Sequence, residues 1–413
     1  MDPRPRSPIP LSSFVDSTLD ATQAIGLPPA AYHDPDFYEF ELDAIFRTQW
    51  HCVGRLEMIP TPGDYFTTTL AGREPVIVAR TQRGDINVMT SVCQHRGMCI
   101  TAPAERPRAE WFDPPPEVSG NARTFRCPYH WWTYNLEGTL VGAPSMERTV
   151  GFDKKDYGLP SLAVETWNGF IFANLAREPA ALAPALGDTD GALAPYALDT
   201  WVTQSPEVLT GVPFNWKIMV ENFMESYHNY GLHNRLMKLE EYGQGNAGDA
   251  GTQSTYQPGE MAICGVGNSV VDDPAVNATQ RALFAPLSRL TPEQRKQVVF
   301  AYVAPTLLLG VFSDSAFWFT VEPTGPMEHT LSMGYFFPPG TSDDKFFPAI
   351  LELYAKGIEL FNNQDLPANV ALQLGMRSQY APRGRLSYLD KFLPKFNAWL
   401  LDRYRDAEAV SVG

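Results

Sequence analysis

Histidine is scarce in this chain: 413 residues carry only seven, at positions 33, 51, 95, 130, 228, 233 and 329. Cysteine is scarcer, with five, at 52, 93, 99, 127 and 264. An odd count in so long a chain argues against a disulfide framework, and the start, MDPRPRSPIPLSS, lacks the apolar core of a secretory signal. A reducing cytoplasm with metal-binding thiolates is the expectation. No run approaches the ~18 consecutive apolar residues of a membrane span. Positive charge is short: 32 Lys and Arg stand against 47 Asp and Glu, a formal net charge of -15. That balance repels phosphate backbones and anionic lipid, so neither nucleic acid nor a membrane is expected as a partner. What remains is the composition of a globular protein, long enough for two domains with real cores.

Local patterning divides the chain. The Pro-rich first residues read as a loose arm. Residues 34–50 repeat apolar side chains at helical spacing and predict a helix. From about 51 to 165, β-rich runs such as DYFTTTL, EPVIVAR and DINVMTSV are separated by Pro-Gly, Ala-Gly and Arg-Gly breaks, which predicts a small all-β domain. The Pro-rich stretch 101–121 reads as an irregular excursion, and TWNGFIFANL as another β element. Residues 176–212 read as a connection with short helices. Asn215 is placed to cap a helix in which Trp216, Val220, Phe223 and Tyr227 form an apolar stripe. Residues 240–290 carry no assignable pattern. Three strands are expected across 298–338, and two helices near 344–363 and 386–405. The expected domains are an arm and helix at 1–44, a β domain at 45–165 with the insertion 101–121, and a larger domain at 166–413.

Four of the seven histidines fall in two pairs beside ligand-type residues. Cys93-Gln-His95 and Cys127-Pro-Tyr-His130 form C-x-H and C-x2-H. Two thiolates and two neutral imidazoles suit a Rieske-type [2Fe–2S] cluster, with both Cys on one iron and both His on the other, or a Cys2His2 zinc ion. Gly97 lets the first loop turn, and Gly138 in NLEG can close a hairpin after the second. Cys99 fits neither spacing and reads as a packed or free thiol. Further on, Glu225, His228 and His233 form E-x2-H-x4-H. Glu225 and His228, at i and i+3, share a helix face, and Gly231 offers a break that swings His233 back. Two His with one carboxylate make a site for an oxygen-activating non-haem Fe(II) with open positions, though spacing does not name the carboxylate. His33 and His51 read as surface or satisfied core groups, and His329 as a residue able to line a pocket. Phe317-Trp318-Phe319 reads as strand core rather than a cation cage.

The runs CQHRG and CPYHWWTYNLEG, with Tyr129 between ligands and Trp132 beyond them, resemble the two ligand boxes of Rieske non-haem iron oxygenases. From about residue 40 onward the chain is similar to that family's catalytic α subunit, including Asn215-Trp216-Lys217 ahead of the two histidines. The resemblance implies that Cys93, His95, Cys127 and His130 hold the cluster, and that His228, His233 and Asp365 hold the mononuclear iron. Asp365 is followed, as in the family, by Gln373, Gly375 and Gly384-Arg-Leu-Ser387, while Gln364 departs from the family's usual Glu. Glu225 stands where the family has an acid, usually Asp, that bonds an iron-ligating His of its own subunit and a cluster His of its neighbour. Glu occurs there in members that oxidise quaternary ammonium compounds. The 31 residues between His95 and Cys127 exceed the family's usual loop, which marks 101–121 as an insertion.

The fold so implied is α+β: a small all-β Rieske [2Fe-2S] domain and a helix-grip catalytic domain with an antiparallel sheet. The implied role is the terminal component of an oxygenase. It would draw electrons from NAD(P)H through a flavin reductase or ferredoxin, activate O2, and hydroxylate a small organic substrate. A hydroxylated N- or O-methyl would leave as formaldehyde, and cis-dihydroxylation of an aromatic ring is the alternative. A homotrimer, with or without a small β subunit, is the implied assembly. A Rieske electron carrier or a zinc-stabilised binding protein would leave E-x2-H-x4-H and the long C-terminal region unexplained.

Overall fold

A computed structural model describes residues 6–101, 118–203, 207–233, 252–253, 256–268 and 284–410. The chain divides into two compact units: Arg47–Ala180, and a larger one made of Met1–Phe46 with Ala181–Gly413.

In the smaller unit, Ile86–Thr90, Glu74–Arg80, Asp64–Leu70 and Ser119–Asn121 form a four-stranded antiparallel sheet in that order. The two-residue alternation of a strand feeds two cores at once. Along Glu74–Arg80, Val76 and Val78 enter one core with Val53, Ile59, Phe66 and Ile171. Ile77 and Ala79 enter the other, with Met89, Cys93, Phe125, Cys127, Trp132 and Tyr134. Each such aliphatic side chain contributes roughly 1.5–3 kcal/mol on burial. Trp50–Arg55 pairs with Phe170–Asn174, which pairs back on Ala163–Trp167. This pairing keeps the hairpin 163–174 with the first strand. The division therefore falls at 180/181, not at the 165/166 expected from sequence. A third sheet of Thr124–Arg126, Thr133–Asn135 and Leu140–Gly142 flanks the second Cys–His pair. Gly138 does close the following turn, at φ +84, where a Cβ would meet Leu159 O at 2.7 Å. Of the excursion 101–121, Thr101 is buried and Ser119–Asn121 returns as an exposed edge strand; 102–117 lie outside the described residues.

The larger unit holds an antiparallel sheet whose order runs Val202–Thr203, Glu328–Phe337, Ala316–Gly325, Leu307–Val311, Gln297–Val303, Ala262–Asn268, Thr252–Gln253. Glu207–Val212 also pairs with Glu328–Phe337. Four strands rather than three therefore cover 297–337. The run VVFAYVAPTLLLGVF turns at 304–306, where Pro305 offers no N–H to a ladder. Helix Trp216–Met224 packs on Gln297–Val303 and Ala316–Gly325, and Phe223 meets Phe300, Phe317 and Phe319 edge-on. Asn215 caps it, accepting from Lys217 N–H at 2.9 Å. Trp216 and Val220 are buried as the stripe predicts, but Tyr227 is 54% exposed because the helix has already ended.

Two longer helices follow, Phe347–Met376 and Leu393–Val410. The first runs well past its expected end at 363, straight through Pro367. The N-terminal arm is not loose from Arg6 onward. Phe14 is fully buried and packs with Phe37 and Tyr404. Arg383 donates to Gly26 O, Ser13 O and Ser17 Oγ, and Asn397 to Ser17 O. The arm thus belongs to the larger unit. Among the described residues, no helix is long and apolar enough to cross a membrane.

Candidate metal centres

The first centre forms on two loops of the smaller unit. Cys93 O accepts from Gly97 N–H at 3.0 Å, and Cys93 N–H donates to Met98 O at 2.9 Å, closing the first loop. Gly97 takes φ +73, as its place in the loop requires. The second loop repeats the device: Trp131 N–H donates to Cys127 O, and Cys127 N–H to Trp132 O. Both thiols are seated in the apolar core, and burial pushes the Cys127 thiol up. The His95 and His130 Nδ1 atoms face each other at 3.1 Å. Two nitrogens on one tetrahedral metal, each about 2 Å away, stand roughly 3–3.5 Å apart, so this spacing fits a shared iron. Burial, His130 and Arg96 together hold His95 below the usual imidazole range, which keeps it the neutral ligand that a metal needs.

Sequence reasoning passed over Tyr134. Its hydroxyl lies 3.3 Å from Cys93 Sγ and accepts from Gln94 N–H at 3.1 Å. Trp132 stacks on His95 with ring centroids 4.7 Å apart. Both follow from the alternation Trp132, Tyr134, Leu136, in which every second residue points inward. Cys99 is a packed thiol, 2.9 Å from Thr101 O.

The second centre lies in the larger unit. Glu225 and His228 do not share a helix face. The helix ends at Met224, Glu225 is extended (φ -107, ψ 154), and Tyr227–Tyr230 forms a separate 3-10 turn. The break therefore comes at Glu225 rather than at Gly231. It allows the Glu225 carboxylate to fold over the next turn, accepting from His228 N–H at 3.1 Å and meeting His228 Nδ1 at 2.5 Å. His228, His233 and Asp365 come together with one ligand atom each within 4.8 Å of the others. Asp365 Oδ1 lies 3.1 Å from His233 Nε2 and 3.7 Å from His228 Nε2. Burial opposes a charge on His233, but bonds to Asp365 and Gln364, and the charges of Asp365 and Glu225, outweigh it and raise its pKa.

Two further residues take roles that the sequence reading did not give them. Gln364 Oε1 lies 2.8 Å from His233 Nδ1, and Asn222 Nδ2 donates to Asp365 Oδ1 at 3.3 Å. Glu225 and Gln364 thus do one job on two rings. Each oxygen accepts from a ring Nδ1–H, which turns each Nε2 to the side of Asp365. Only the adjacency of Gln364 to Asp365 could have signalled this. His329 is fully buried, with Nδ1–H donating to Phe214 O at 2.8 Å, and so lines no open pocket. Phe317, Trp318 and Phe319 are buried strand residues, as expected.

Paired thiol–imidazole loops in a small β unit, with two His and one carboxylate in a larger helix-and-sheet unit, define a two-site metalloprotein of Rieske type. The chain belongs to the Rieske ring-hydroxylating oxygenase alpha subunits. The Rieske [2Fe-2S] domain family matches residues 49–164, and the family described as ring hydroxylating alpha subunit (catalytic domain) matches 196–406. The glycine betaine monooxygenase oxygenase subunit of Chromohalobacter salexigens is 34% identical over 56% of this chain and 50% of its own length. The match thus spans about half of that relative. The chloroplastic choline monooxygenase of Arabidopsis thaliana is 26% identical over 93% of this chain and 84% of its own. In fold, the chain is similar to naphthalene 1,2-dioxygenase from a Rhodococcus species, with TM-score 0.77, 21% identity, and coverage of 97% and 98%. It is similar also to the quaternary ammonium Rieske monooxygenase CntA, with TM-score 0.74, 21% identity, and coverage of 96% and 98%.

Proposed function

We propose that this chain is the terminal oxygenase of a multicomponent system and hydroxylates a methylated, quaternary ammonium-type substrate. The carrying observation is the convergence of His228, His233 and Asp365 on one point, with Glu225 and Gln364 fixing the two imidazoles. The donor sets fit the groups the family holds: two thiolates and two imidazoles for a [2Fe–2S] cluster, two imidazoles and a carboxylate for mononuclear iron. When bound, the cluster supplies single electrons and the mononuclear iron supplies oxygen activation. Cys93, His95, Cys127 and His130 hold the first. His228, His233 and Asp365 would hold the second.

In sum, one C–H bond, O2, two electrons and two protons give one C–OH and water. At an N-methyl group the product collapses to a demethylated amine and formaldehyde. The electrons come from NAD(P)H through a flavin reductase or ferredoxin. Glu225, hydrogen-bonded to His228 Nδ1, is the residue suited to bridge the electron path from a neighbouring subunit's cluster to His228 in a homotrimer. Five cysteines, none of them in a disulfide, suit a reducing cytoplasm.

Glu225, and relatives named for glycine betaine and choline, support the quaternary ammonium reading. Ring dihydroxylation is the second reading. It is favoured by Phe300, Phe317 and Phe319, which meet Phe223 in the helix that ends just before Glu225, and by a 34% identical benzene 1,2-dioxygenase alpha subunit from Pseudomonas putida.

The test begins with anaerobic purification, a visible spectrum, and counts of iron, zinc and acid-labile sulfide. A Rieske spectrum with iron beyond the cluster's two is expected; a colourless zinc protein overturns the proposal. Substrate-dependent NADH oxidation with a surrogate reductase, checked by product mass, then separates formaldehyde release from a cis-diol. His228→Ala should keep the cluster spectrum and lose the mononuclear iron and all turnover. Native mass measurement reads the assembly.

A further inference from the structure

Either reaction above consumes two protons for every O2, and the metal residues sit largely inside the protein. The structure offers a source for them that the metal site itself does not use. Lys217, Glu221 and Glu225 follow at i, i+4 and i+8 from the helix Trp216–Met224 to the residue that ends it. Lys217 is fully buried and bound to Glu41 at 2.7 and 2.9 Å, and Tyr404 OH also donates to Glu41. The charge of Lys217 is therefore already met. Glu221 is left with one described hydrogen-bond partner, Tyr32 OH, which donates to its Oε1 at 2.6 Å.

Glu225 and Asp390 both act on Glu221, while Lys217, one turn back, is engaged by Glu41. Burial, reinforced by Glu225 and Asp390 and opposed by Tyr32 and Lys217, pushes the Glu221 carboxyl up to about 7.

A second observation shows where such a proton can travel. The helix Trp216–Met224 and the long helix Phe347–Met376 are pinned at two points: Asn215 N–H donates to Gln373 Oε1 at 2.7 Å, and Asn222 Nδ2 to Asp365 Oδ1 at 3.3 Å. Between the pins on the long helix lies Asn369, one turn from Asp365 and one from Gln373. It is fully buried, and neither its amide nitrogen nor its oxygen has a hydrogen-bond partner among the described residues. A buried amide with both ends open is an ordered-water site. Gln373 Nε2 donates to Tyr32 O at 3.2 Å, so the residue that holds Glu221 is tied to the same helix face.

We propose that Glu221 stores a proton for oxygen reduction and releases it along ordered water at Asn369 to the site bounded by Glu225 and Asp365. The proposal rests on the oxygenase reading. The O–H bond of the Glu221 carboxyl breaks, each water in turn accepts and donates a proton, and an O–H bond of the product forms. The electrons are those delivered by the reductase or ferredoxin. Glu221 is left as a carboxylate, stabilised by Tyr32, and regains its proton from bulk water. Glu221 touches no ligand residue, so its role is to hold and hand on a proton. The charged and titratable groups facing it are Tyr32, Lys217, Glu225 and Asp390. Glu41 and Arg383 act on Tyr32 behind them.

The test compares holoenzymes of wild type, Glu221→Gln, Tyr32→Phe and Asn369→Leu, each with iron content and cluster absorbance checked first. Infrared pH-difference spectra, recorded without substrate or O2, should show a protonated carboxyl band that titrates near neutral pH and is missing in Glu221→Gln. In turnover, wild-type kcat should fall about tenfold per pH unit above about 7. Glu221→Gln should lower kcat about 10²-fold, in the range of a lost proton donor, flatten that limb and leave KM unchanged. Tyr32→Phe removes a donor that favours the carboxylate, so its limb should move to higher pH. Asn369→Leu should match or exceed wild-type Tm, because an open amide is replaced by an isosteric apolar group, and should still lose kcat. A Glu221→Gln enzyme with wild-type kcat and the wild-type alkaline limb overturns the proton store and leaves the oxygenase standing. A titrating band in a protein that turns over no substrate with any donor overturns the oxygenase instead.

Discussion

At the scale of single residues, the second centre depends on who holds the two Nδ1 protons. Glu225 holds that of His228 as a carboxylate, while Gln364 holds that of His233 as a neutral amide oxygen. The acid therefore polarises its imidazole more strongly than the amide does. Removing such a partner commonly costs about 10–100-fold in metal affinity, because the ring loses both its tautomer and its orientation. Gln364→Ala is expected to weaken iron binding within that range, read by competition with a chelator, while leaving the cluster spectrum unchanged. Equal iron affinity in this variant would show that packing against Phe361, whose ring lies 4.8 Å from that of His233, orients the imidazole by itself.

At the scale of elements, the helix Trp216–Met224 is a buried support with an unusual cost. Lys217 and Glu41 are a fully buried ion pair, supplemented by Tyr404 OH and by Trp216 Nε1 at 3.4 Å. Burial pulls the Lys217 ammonium down, and Glu41 pulls it back. Breaking a pair of this kind leaves a charge without compensation and costs about 3–5 kcal/mol. Lys217→Met should lower unfolding stability by that amount in denaturant titration, whereas exposed Lys356→Met, on the i,i+4 pair with Glu352, should leave the denaturant midpoint essentially unchanged. The Asn215 cap and the apolar stripe made this helix legible in sequence. Its end was not legible, because Glu225 has good helix propensity; the extended backbone there is imposed by contacts the sequence does not display. The long helix shows the converse. Pro367 sits inside it at an exposed position, and the helix continues past it to carry Asp365, Asn369 and Gln373 at four-residue spacing on one face.

At the scale of the whole molecule, His329 links stability to pH. It is fully buried in the sheet of the larger unit, and burial holds it down at about 4 against an ordinary 6.5, despite the bond to Phe214 O. The unfolded chain takes up a proton that the folded chain refuses. Stability is therefore complete above about 6.5 and falls as pH drops toward about 4, by roughly 3 kcal/mol in all. Denaturant midpoints across that window should show the slope, and His329→Gln should remove most of it. By itself the sequence determined the chemistry: which side chains are thiolates, imidazoles and carboxylates, how the cluster ligands pair, and which strands alternate. Those features are local, fixed by spacings of a few residues and by the two-residue period of a strand. The tertiary structure alone decided that 163–174 pairs with 50–55, that the N-terminal arm packs beneath Tyr404, and that Gln364 and Asn222 brace residues far from them in the chain. Such contacts join segments more than a hundred residues apart, and only packing of a common core selects among the many pairings that local pattern allows.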